Sequence, residues 1–132
     1  MTQEPSLDAW IDAYIKLGLE LEDSPLSPDN PLLWADERAT FIFGIVDRET
    51  MWQFVIGVLA RNPPAFVLDY LAAGPLEDMI AHFGDYFIDR IERTARHDAA
   101  FRELLHGVWK NKTSDAIWQR VEIARGAAVE GG

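Results

Sequence analysis

The sequence predicts an all-α fold. Apolar residues recur at the three- and four-residue spacing of amphipathic helices in one segment after another, and no stretch sustains the alternation of period two that is typical of strands. Short runs containing Pro, Gly, Asn or Ser separate these segments, so we expect about seven or eight short helices joined in antiparallel hairpins. Two architectures fit this pattern, a HEAT-like α-solenoid and a compact irregular bundle, and no self-similar period repeats three times.

Length and composition are typical of one domain with its own hydrophobic core. The chain has 132 residues, of which 48% are hydrophobic, and we expect a single helical domain over residues 1–125 followed by a flexible tail at residues 126–132. Cysteine is absent, which excludes thiol catalysis, disulfides and cysteine-based metal sites. No signal peptide is evident, and no apolar run approaches the ~20 residues that span a bilayer, so we expect a cytoplasmic protein without a membrane partner.

Charge is distributed unevenly along the chain. The formal net charge is −10, which argues against a nucleic-acid partner or an anionic membrane, because both normally require a basic face. Residues 1–37 hold nine acidic residues against one basic residue, Lys16, and so carry −8 of this charge. Such a run is either a solvated, solubilising face or a patch that steers a basic partner. On the second interpretation, Glu20, Glu22 and Asp23 are candidate partner-binding residues.

Two helices are predicted before residue 46. Ser6 is the expected N-cap of the first, which ends near Leu21 and precedes a Pro-rich loop at residues 22–30. Asn30 and Pro31 then predict the N-cap and first turn of the second helix. The residues expected to face inward are Leu7, Trp10, Ile11, Tyr14, Leu17 and Leu21 in the first helix, and Leu33, Trp34, Phe41, Ile42 and Ile45 in the second.

Two further helices are predicted before residue 72. Thr50 and Gln53 have the spacing of a capping box at the start of the third helix. The run Asn62-Pro63-Pro64 interrupts the chain before a brief fourth helix. The inward residues are predicted to be Trp52, Val55, Ile56 and Leu59 in the third helix, and Phe66, Val67, Tyr70 and Leu71 in the fourth.

The stretch from Leu71 to Gly84 combines helix stop and start signals. Gly74 can supply a positive φ that closes one helix or the open cap of the next, and Pro75 suits a first helical position. We therefore expect a fifth helix that begins at Pro75 and ends at Gly84. Its apolar stripe is predicted to be Leu76, Met79, Ile80 and Phe83.

Three helices are predicted in the remainder of the chain, with N-caps at Asp85, Asp98 and Ser114. Their inward residues are predicted to be Phe87, Ile88, Ile91 and Ala95, then Phe101, Leu104, Leu105 and Val108, and finally Ile117, Trp118, Val121 and Ala124. Trp109 follows the second of these stripes at a helix end beside a polar loop. It is either a partly exposed interface anchor or a core residue beneath the last helix.

Three motifs in the second half of the chain carry a family resemblance: LAAGPLEDMIAHFG, FIDRIERTARHDAAFRELLHGVW and DAIWQRVEIA. They resemble a bacterial family known as domain of unknown function 6869, whose pattern contains a Gly-Pro-Leu-Glu turn and a Val-Trp before a last Trp-containing helix. The resemblance extends loosely over residues 34–59 and does not include the first 30 residues. It implies no activity, since none is established for the family. The signature residues that it implies here are Gly74, Pro75, Leu76, Glu77, His82, Gly84 and Trp109.

These signature residues have mostly architectural interpretations. With Gly74 as N-cap, Glu77 takes the third helical position, where its carboxylate can reach back to free backbone N–H groups. His82 lies in the predicted last turn of the same helix, where its ring can bond a free carbonyl.

One group of side chains has the chemistry of a metal site. Asp78 and His82 lie four residues apart with Asp85 just beyond, and carboxylates with a neutral imidazole can bind a divalent cation. The alternative is a surface ion pair, because a metal-hydrolase motif such as H-E-x-x-H has two histidines where this helix has one. No nucleophile elbow, phosphate loop or dinucleotide fingerprint occurs, so we expect no cofactor.

A run of arginines completes the set of candidates. Arg90, Arg93 and Arg96 recur every three residues along one helix face, which suits either phosphate binding or a surface laced with ion pairs, since acidic residues are interleaved. Together with Trp109, Arg90 and Arg93 form a second candidate partner surface.

Two functional hypotheses follow. The first is a non-catalytic cytoplasmic protein-interaction domain, of an immunity-like or regulatory kind, that acts through an acidic face. It predicts a protein partner and leaves a homo-oligomer open. The second is a metal-assisted hydrolase that uses Asp78 and His82.

Overall fold

The structure is a computed structural model in which residues 4–126 are described. Its regular elements are seven α-helices, one 3-10 helix and one π-helical turn, and no strand occurs in these residues, so the all-α prediction is confirmed. In chain order they are α1 (Leu7–Leu21), α2 (Leu33–Arg38), the 3-10 helix (Phe41–Phe43), α3 (Arg48–Ala60), α4 (Ala65–Leu71), the π-helical turn (Ala72–Leu76), α5 (Glu77–His97), α6 (Ala99–Leu105) and α7 (Asp115–Ala124).

The chain divides into two compact units, Met1–Tyr70 and Leu71–Gly132. One domain over residues 1–125 stays a prediction, and residues 127–132 of the predicted flexible tail lie outside the described residues. Within residues 4–126, no helix combines the length and the apolar character needed to cross a membrane.

An aromatic cluster forms the core of the first unit. Trp10 stacks on Phe54 with ring centroids 3.9 Å apart, and Phe41 meets Phe54 edge-on at 6.2 Å. Tyr14 also packs edge-on against Phe54, at 5.0 Å. The indole Nε1 of Trp10 donates a hydrogen bond to the carbonyl of Ala35 at 3.0 Å, which ties α1 to α2. Each aromatic pair of this kind contributes about 0.5–1.5 kcal/mol beyond the burial of its area.

Three of the predicted N-caps are confirmed. Ser6, Asp98 and Ser114 accept hydrogen bonds from backbone N–H groups in the first turns of α1, α6 and α7. The predicted capping box at Thr50 is wrong, because Asp47 is the N-cap of α3 and its Oδ1 accepts from the Thr50 N–H at 2.9 Å. A carboxylate three residues before Thr50 meets the free N–H group, so the helix begins earlier.

The second helix starts later and ends earlier than predicted. Asn30 is not its N-cap: Oδ1 of Asn30 accepts from the N–H of Leu32 at 2.8 Å, which forms an Asx turn over residues 30–32, just before α2 begins. Residues 22–30, predicted to be a Pro-rich loop, lie between α1 and α2.

The chain leaves the helical path after α2. The 3-10 helix is followed by Gly44, whose φ of 73° is left-handed and turns the chain. Phe41 is buried as predicted, but Ile42 and Ile45 are exposed, so their predicted inward position is wrong. The helical period on which that prediction depended ends with α2, and later residues no longer share its face.

A close contact with α1 sets the inner face of α4. Val67 is buried, and a Cβ added at Gly18 would lie 3.1 Å from Cγ2 of Val67. Phe66, in the first turn of α4, is 37% exposed, so its predicted inward position is wrong. In α3, Val55 and Leu59 are buried as predicted.

The stretch around Gly74 and Pro75 is continuous helix. A π-helical turn occupies it, and the N–H of Glu77 bonds the carbonyl of Ala72 at its end. Gly74 has no positive φ, and the predicted helix start at Pro75 is wrong. Proline lacks an N–H and its ring clashes with the carbonyl four residues earlier, and the wider π turn accommodates both.

The predicted break near Gly84 is present one residue earlier: Phe83 has a non-helical backbone (φ −135°, ψ 29°), and this kink divides α5, which runs to residue 97, into two helical segments. Phe83, and not Asp85, therefore marks the boundary between the predicted fifth and sixth helices. A Cβ added at Gly84 would lie 3.0 Å from Cγ2 of Ile117. Glycine at this position therefore lets α7 approach α5 closely.

The apolar stripes of α5 and α6 agree with the sequence. The buried residues there include Met79, Ile80, Phe87, Ile88, Ile91, Ala95, Phe101, Leu104 and Leu105, with Val108 just after α6. In α7, Ile117 and Val121 are buried as predicted, whereas Trp118 and Ala124 are half-buried.

Candidate functional site

The candidate site is the loop between α6 and α7, residues 106–114, which exposes a tryptophan and is called the Trp109 loop. The Trp109 side chain is 75% exposed, as expected for an interface anchor and contrary to the core alternative. Its neighbour Val108 is buried, and so is Thr113 towards the other end of the loop. The loop is thus anchored on both sides of an exposed indole.

The carboxylate of Glu77 holds this loop. Oε1 of Glu77 accepts a hydrogen bond from the backbone N–H of Trp109 at 3.0 Å, and Oε2 accepts from Nδ2 of Asn111 at 3.1 Å. Hydrogen bonds to an ionised acceptor are stronger than those between neutral groups. The predicted role of Glu77 at a helix start is wrong, because the backbone is already helical before it. Two signature residues, Glu77 and Trp109, therefore meet in space.

Three further features restrain the loop. Nζ of Lys110 donates to the carbonyl of Thr113 at 3.0 Å and forms an ion pair with Asp115 at 3.0 Å. Asn111 has a left-handed φ of 48°, which its short polar side chain tolerates. A Cβ added at Gly107 would lie only 2.8 Å from Cβ of Ala72, so the loop packs directly on the π-helical turn. The exposed indole is therefore held by a well-defined backbone.

The predicted metal ligands do not assemble into a site. His82 and Asp85 are exposed and Asp78 is half-buried on α5. No group of three or more His, Asp or Glu side chains suited to a metal ion occurs in the part of the chain that the structure describes. His82 immediately precedes the non-helical Phe83, so it lies in the last turn of the first helical segment of α5, as predicted. The hydrolase alternative stays a prediction, which a thermal-shift screen with Zn²⁺, Mn²⁺ and Mg²⁺ tests.

The arginine run lies on a surface that carries ion pairs. The Arg90 guanidinium lies over the Tyr86 ring at 5.9 Å, and Arg93 and Arg96 are exposed. This arrangement agrees better with an exposed helix face that carries ion pairs than with a phosphate site.

Two acidic residues of α5, Asp89 and Glu92, form ion pairs with Arg120 of α7. Arg120 contacts Asp89 at 2.7 Å and both oxygens of Glu92, at 2.6 and 2.8 Å. The hydrogen bond from Arg120 lowers the pKa of Glu92, and the bonds to Glu92 and then Asp89 raise the pKa of Arg120. Glu92 and Arg120 are therefore both ionised at neutral pH. Sequence reasoning missed Arg120, which a helical period places on α7 without showing its partners.

The acidic candidates lie in the first unit. Oε1 of Glu20 accepts from Nδ2 of Asn30 at 3.0 Å, so this carboxylate helps to close the Pro-rich loop. Glu22 and Asp23 are exposed at the end of α1. Arg90, Arg93 and Trp109 belong to the second unit, so the predicted partner residues form two separate sets.

Tyr14 and Tyr70 were both predicted to face inward, but their pairing was not anticipated from the sequence. Tyr14 is fully buried, its hydroxyl has no hydrogen-bond partner within residues 4–126, and its ring stacks on that of the half-buried Tyr70 at 5.3 Å. The Tyr70 hydroxyl donates to Oδ1 of Asp36. Burial raises the pKa of Tyr14, and burial with the bond to Asp36 raises the pKa of Tyr70. Both phenols are therefore neutral at physiological pH.

Comparison with known proteins assigns the chain to a family. The model of the family of unknown function DUF6869 matches residues 22–129. The chain belongs to this family. The DUF6869 match includes Glu77 and Trp109, starts earlier than the resemblance over residues 34–59 suggested, and excludes α1. No curated protein and no solved structure matches the chain.

Proposed function

We propose that the chain is a non-catalytic protein-interaction domain that binds a partner protein at the Trp109 loop. The observation that supports this proposal is the three-quarters exposed indole of Trp109, on a loop whose backbone is held by Glu77. A tryptophan needed only for folding is mostly buried, whereas this one leaves its apolar area in water.

The physical gain comes from burial without reordering. Tryptophan is enriched among the residues that contribute most to binding, because it buries a large apolar area with only two rotatable side-chain bonds. Binding normally costs free energy to order loops and side chains. The Glu77 bonds and the Gly107 contact with Ala72 order this loop before a partner arrives, which lowers that cost.

The acidic segment supplies long-range attraction in this proposal. Glu22 and Asp23 are exposed, and residues 1–37 carry −8 of the net charge of −10. Such a field accelerates the approach of a basic partner and disfavours acidic ones. An immunity-like or regulatory protein, which neutralises a cationic partner, fits this chemistry.

The test compares partner capture by three forms of the full chain. The wild-type chain is used as bait in its source cells, next to Trp109→Ala and a control, Ile123→Ala, which removes another exposed apolar side chain (56% exposed) on α7. We expect the wild type and the control to recover one stoichiometric protein, and Trp109→Ala to bind it at least about tenfold more weakly. Recovery of the same protein by Trp109→Ala at equal affinity, or no stoichiometric partner at low and high salt, contradicts the proposal.

A further inference from the structure

A second exposed apolar surface lies in the first unit, just after α2. Ile42, Phe43 and Ile45 are 53%, 62% and 60% exposed, and we call these three residues the apolar patch. Large apolar side chains scattered singly over a surface need no explanation, whereas a cluster of three within four residues is a candidate interaction site.

The apolar patch sits on an ordered turn. The Phe43 N–H donates to the carbonyl of Thr40 and the Gly44 N–H to that of Phe41, each at 3.1 Å. Phe41 is buried edge-on against Trp10 at 6.4 Å, so the start of the turn is fixed in the core. Asp47, the N-cap of α3, fixes its end. The patch is therefore presented to solvent by a defined backbone.

Carboxylates lie beside Ile45, the last residue of the patch. Ile45 lines a cavity of about 220 Å³ together with Glu4 and Asp47, and a second cavity of about 300 Å³ together with Glu37. All three carboxylates are exposed. The hydrogen bond from the Thr50 N–H lowers the pKa of Asp47, which keeps that group ionised.

Arg38, a cation that lines both cavities, already contacts groups of this chain. Nη1 of Arg38 donates to the carbonyl of Pro5 at 3.1 Å, and the guanidinium lies 5.3 Å from the ring of Trp10 and 5.5 Å from that of Trp34. In the described part of the first unit, residues 4–70 contain twelve Asp and Glu against four Lys and Arg. This part of the chain therefore carries a net negative charge and a negative field.

We propose that the apolar patch is a docking site for a cationic amphipathic segment of a partner protein. Apolar side chains of that segment cover Ile42, Phe43 and Ile45, and its Lys or Arg residues face Glu4, Glu37 and Asp47. The same negative field repels a second copy of this chain, whose net charge is −10, and repels nucleic acid and anionic lipid. This inference uses residues outside the Trp109 loop and does not depend on the function proposed above.

The probe is a synthetic amphipathic helix of about 18 residues, or five turns, with Leu on one face and Lys on the other. A matched peptide carries Glu in place of Lys. Binding of each labelled peptide to the full chain is followed by fluorescence anisotropy over a range of salt concentrations. The variants are Phe43→Ser, Glu37→Gln, Trp109→Ala and the control Ile123→Ser, and circular dichroism checks that each is folded.

The Lys peptide is expected to bind the wild type, and the Glu peptide is not. Phe43→Ser should weaken binding of the Lys peptide at least about tenfold, whereas Ile123→Ser and Trp109→Ala should leave it unchanged. Glu37→Gln should weaken binding less and flatten its salt dependence, because one screened charge pair is lost.

Four results would overturn the inference. In the first, the Lys peptide does not bind the wild type at low salt. In the second, it binds Phe43→Ser as well as the wild type, which means attraction by net charge alone. The Glu peptide binds equally well, which means unspecific apolar contact. Sedimentation shows a dimer of the free chain that Phe43→Ser dissociates, which means that a second copy covers the patch.

A Trp109→Ala chain that binds the Lys peptide normally but captures no partner separates this inference from the function proposed above.

Discussion

Because the Trp109 N–H and the Asn111 side-chain amide both donate to the carboxylate of Glu77, the loop is held through polar groups and not through its indole. Trp109 itself remains 75% exposed. Removing the indole should therefore change binding more than folding. Removing the carboxylate should change both.

Glu77→Ala tests this division of roles. It leaves two donors without their charged acceptor, and we expect a loss of about 1–2 kcal/mol in the free energy of unfolding, measured by urea denaturation. Glu77→Gln keeps one acceptor oxygen and should lose less. The control is Glu103→Ala, an exposed carboxylate on α6, which should stay within about 0.5 kcal/mol of the wild type. Equal stability of Glu77→Ala and Glu103→Ala would show that the loop does not depend on this carboxylate.

One substitution at two glycines should have opposite effects. A Cβ added at Gly74 meets nothing within 4 Å and the backbone there is helical, so Gly74→Ala should be neutral or stabilise by up to about 1 kcal/mol. A Cβ added at Gly107 lies 2.8 Å from Cβ of Ala72. Gly107→Ala should therefore destabilise by about 1–3 kcal/mol.

Melting temperatures of the two alanine variants measure this contrast. The sequence analysis allowed a positive φ at Gly74, where an added side chain would be strained, and the helical backbone there removes that reason. A large loss of stability in Gly74→Ala, or none in Gly107→Ala, would contradict the two glycine environments described above.

At the scale of elements, the π-helical turn makes residues 72–76 part of a continuous helical path. A stop at Gly74 would leave a connection between two helices, whereas the observed turn buries Pro75 and Leu76 and leads directly into α5. It also offers Ala72 as the surface on which Gly107 packs. Short π-helical turns are frequent at functional sites, and this one adjoins the Trp109 loop.

The Arg120 ion pairs between α5 and α7 predict a pH-dependent contribution to stability. The pKa of Glu92 is lowered in the folded protein, so the stabilisation is present above the ordinary Glu pKa of about 4.3 and is lost as the pH falls through the folded-state pKa. Arg120→Gln should lower the urea midpoint only slightly at pH 7, because the groups are partly exposed to solvent, which weakens ion pairs.

Urea midpoints from pH 7 down to pH 3 test this expectation. The difference between wild type and Arg120→Gln should narrow below about pH 4.5 and close at the acidic end. A difference that stays constant over the whole range would mean that Arg120 acts through packing of its aliphatic stem.

At the scale of the molecule, the charge of the first unit makes a kinetic prediction. Glu20→Gln, Glu22→Gln and Asp23→Asn together should slow association with a captured partner and reduce its salt dependence, since exposed charges act over a screening length of ~8 Å. The free chain should become slightly more stable as repulsion falls. Glutamine at position 20 retains the carbonyl acceptor for Asn30, so the Pro-rich loop is kept.

Stopped-flow association at several salt concentrations, with urea denaturation of the free chain, measures both effects. The informative result is the pair of opposite signs. Unchanged association would restrict residues 20–23 to a solubilising role, and the steering part of the proposal would fail.

The sequence by itself determined the features that depend on neighbours along the chain. Helical spacing predicted the buried stripe of α6, and a hydroxyl or carboxylate beside free N–H groups predicted the caps Ser6, Asp98 and Ser114. Exposure of Trp109 was one of two alternatives. These signals are local, because a helix bonds residues four apart and a cap bonds residues two or three apart.

Only the tertiary structure decided the features that depend on distant residues. Glu77 meets the Trp109 loop across 32 residues, and Arg120 meets Glu92 across 28. Pro75 continues a helix that local rules end, since its surroundings bury it in a π-helical turn. Ile42 and Ile45 are exposed because α2 ends at Arg38, so these residues do not continue its buried face. Spacing shows which side chains share a helix face, but packing between elements decides which face is covered and which carboxylate meets which donor.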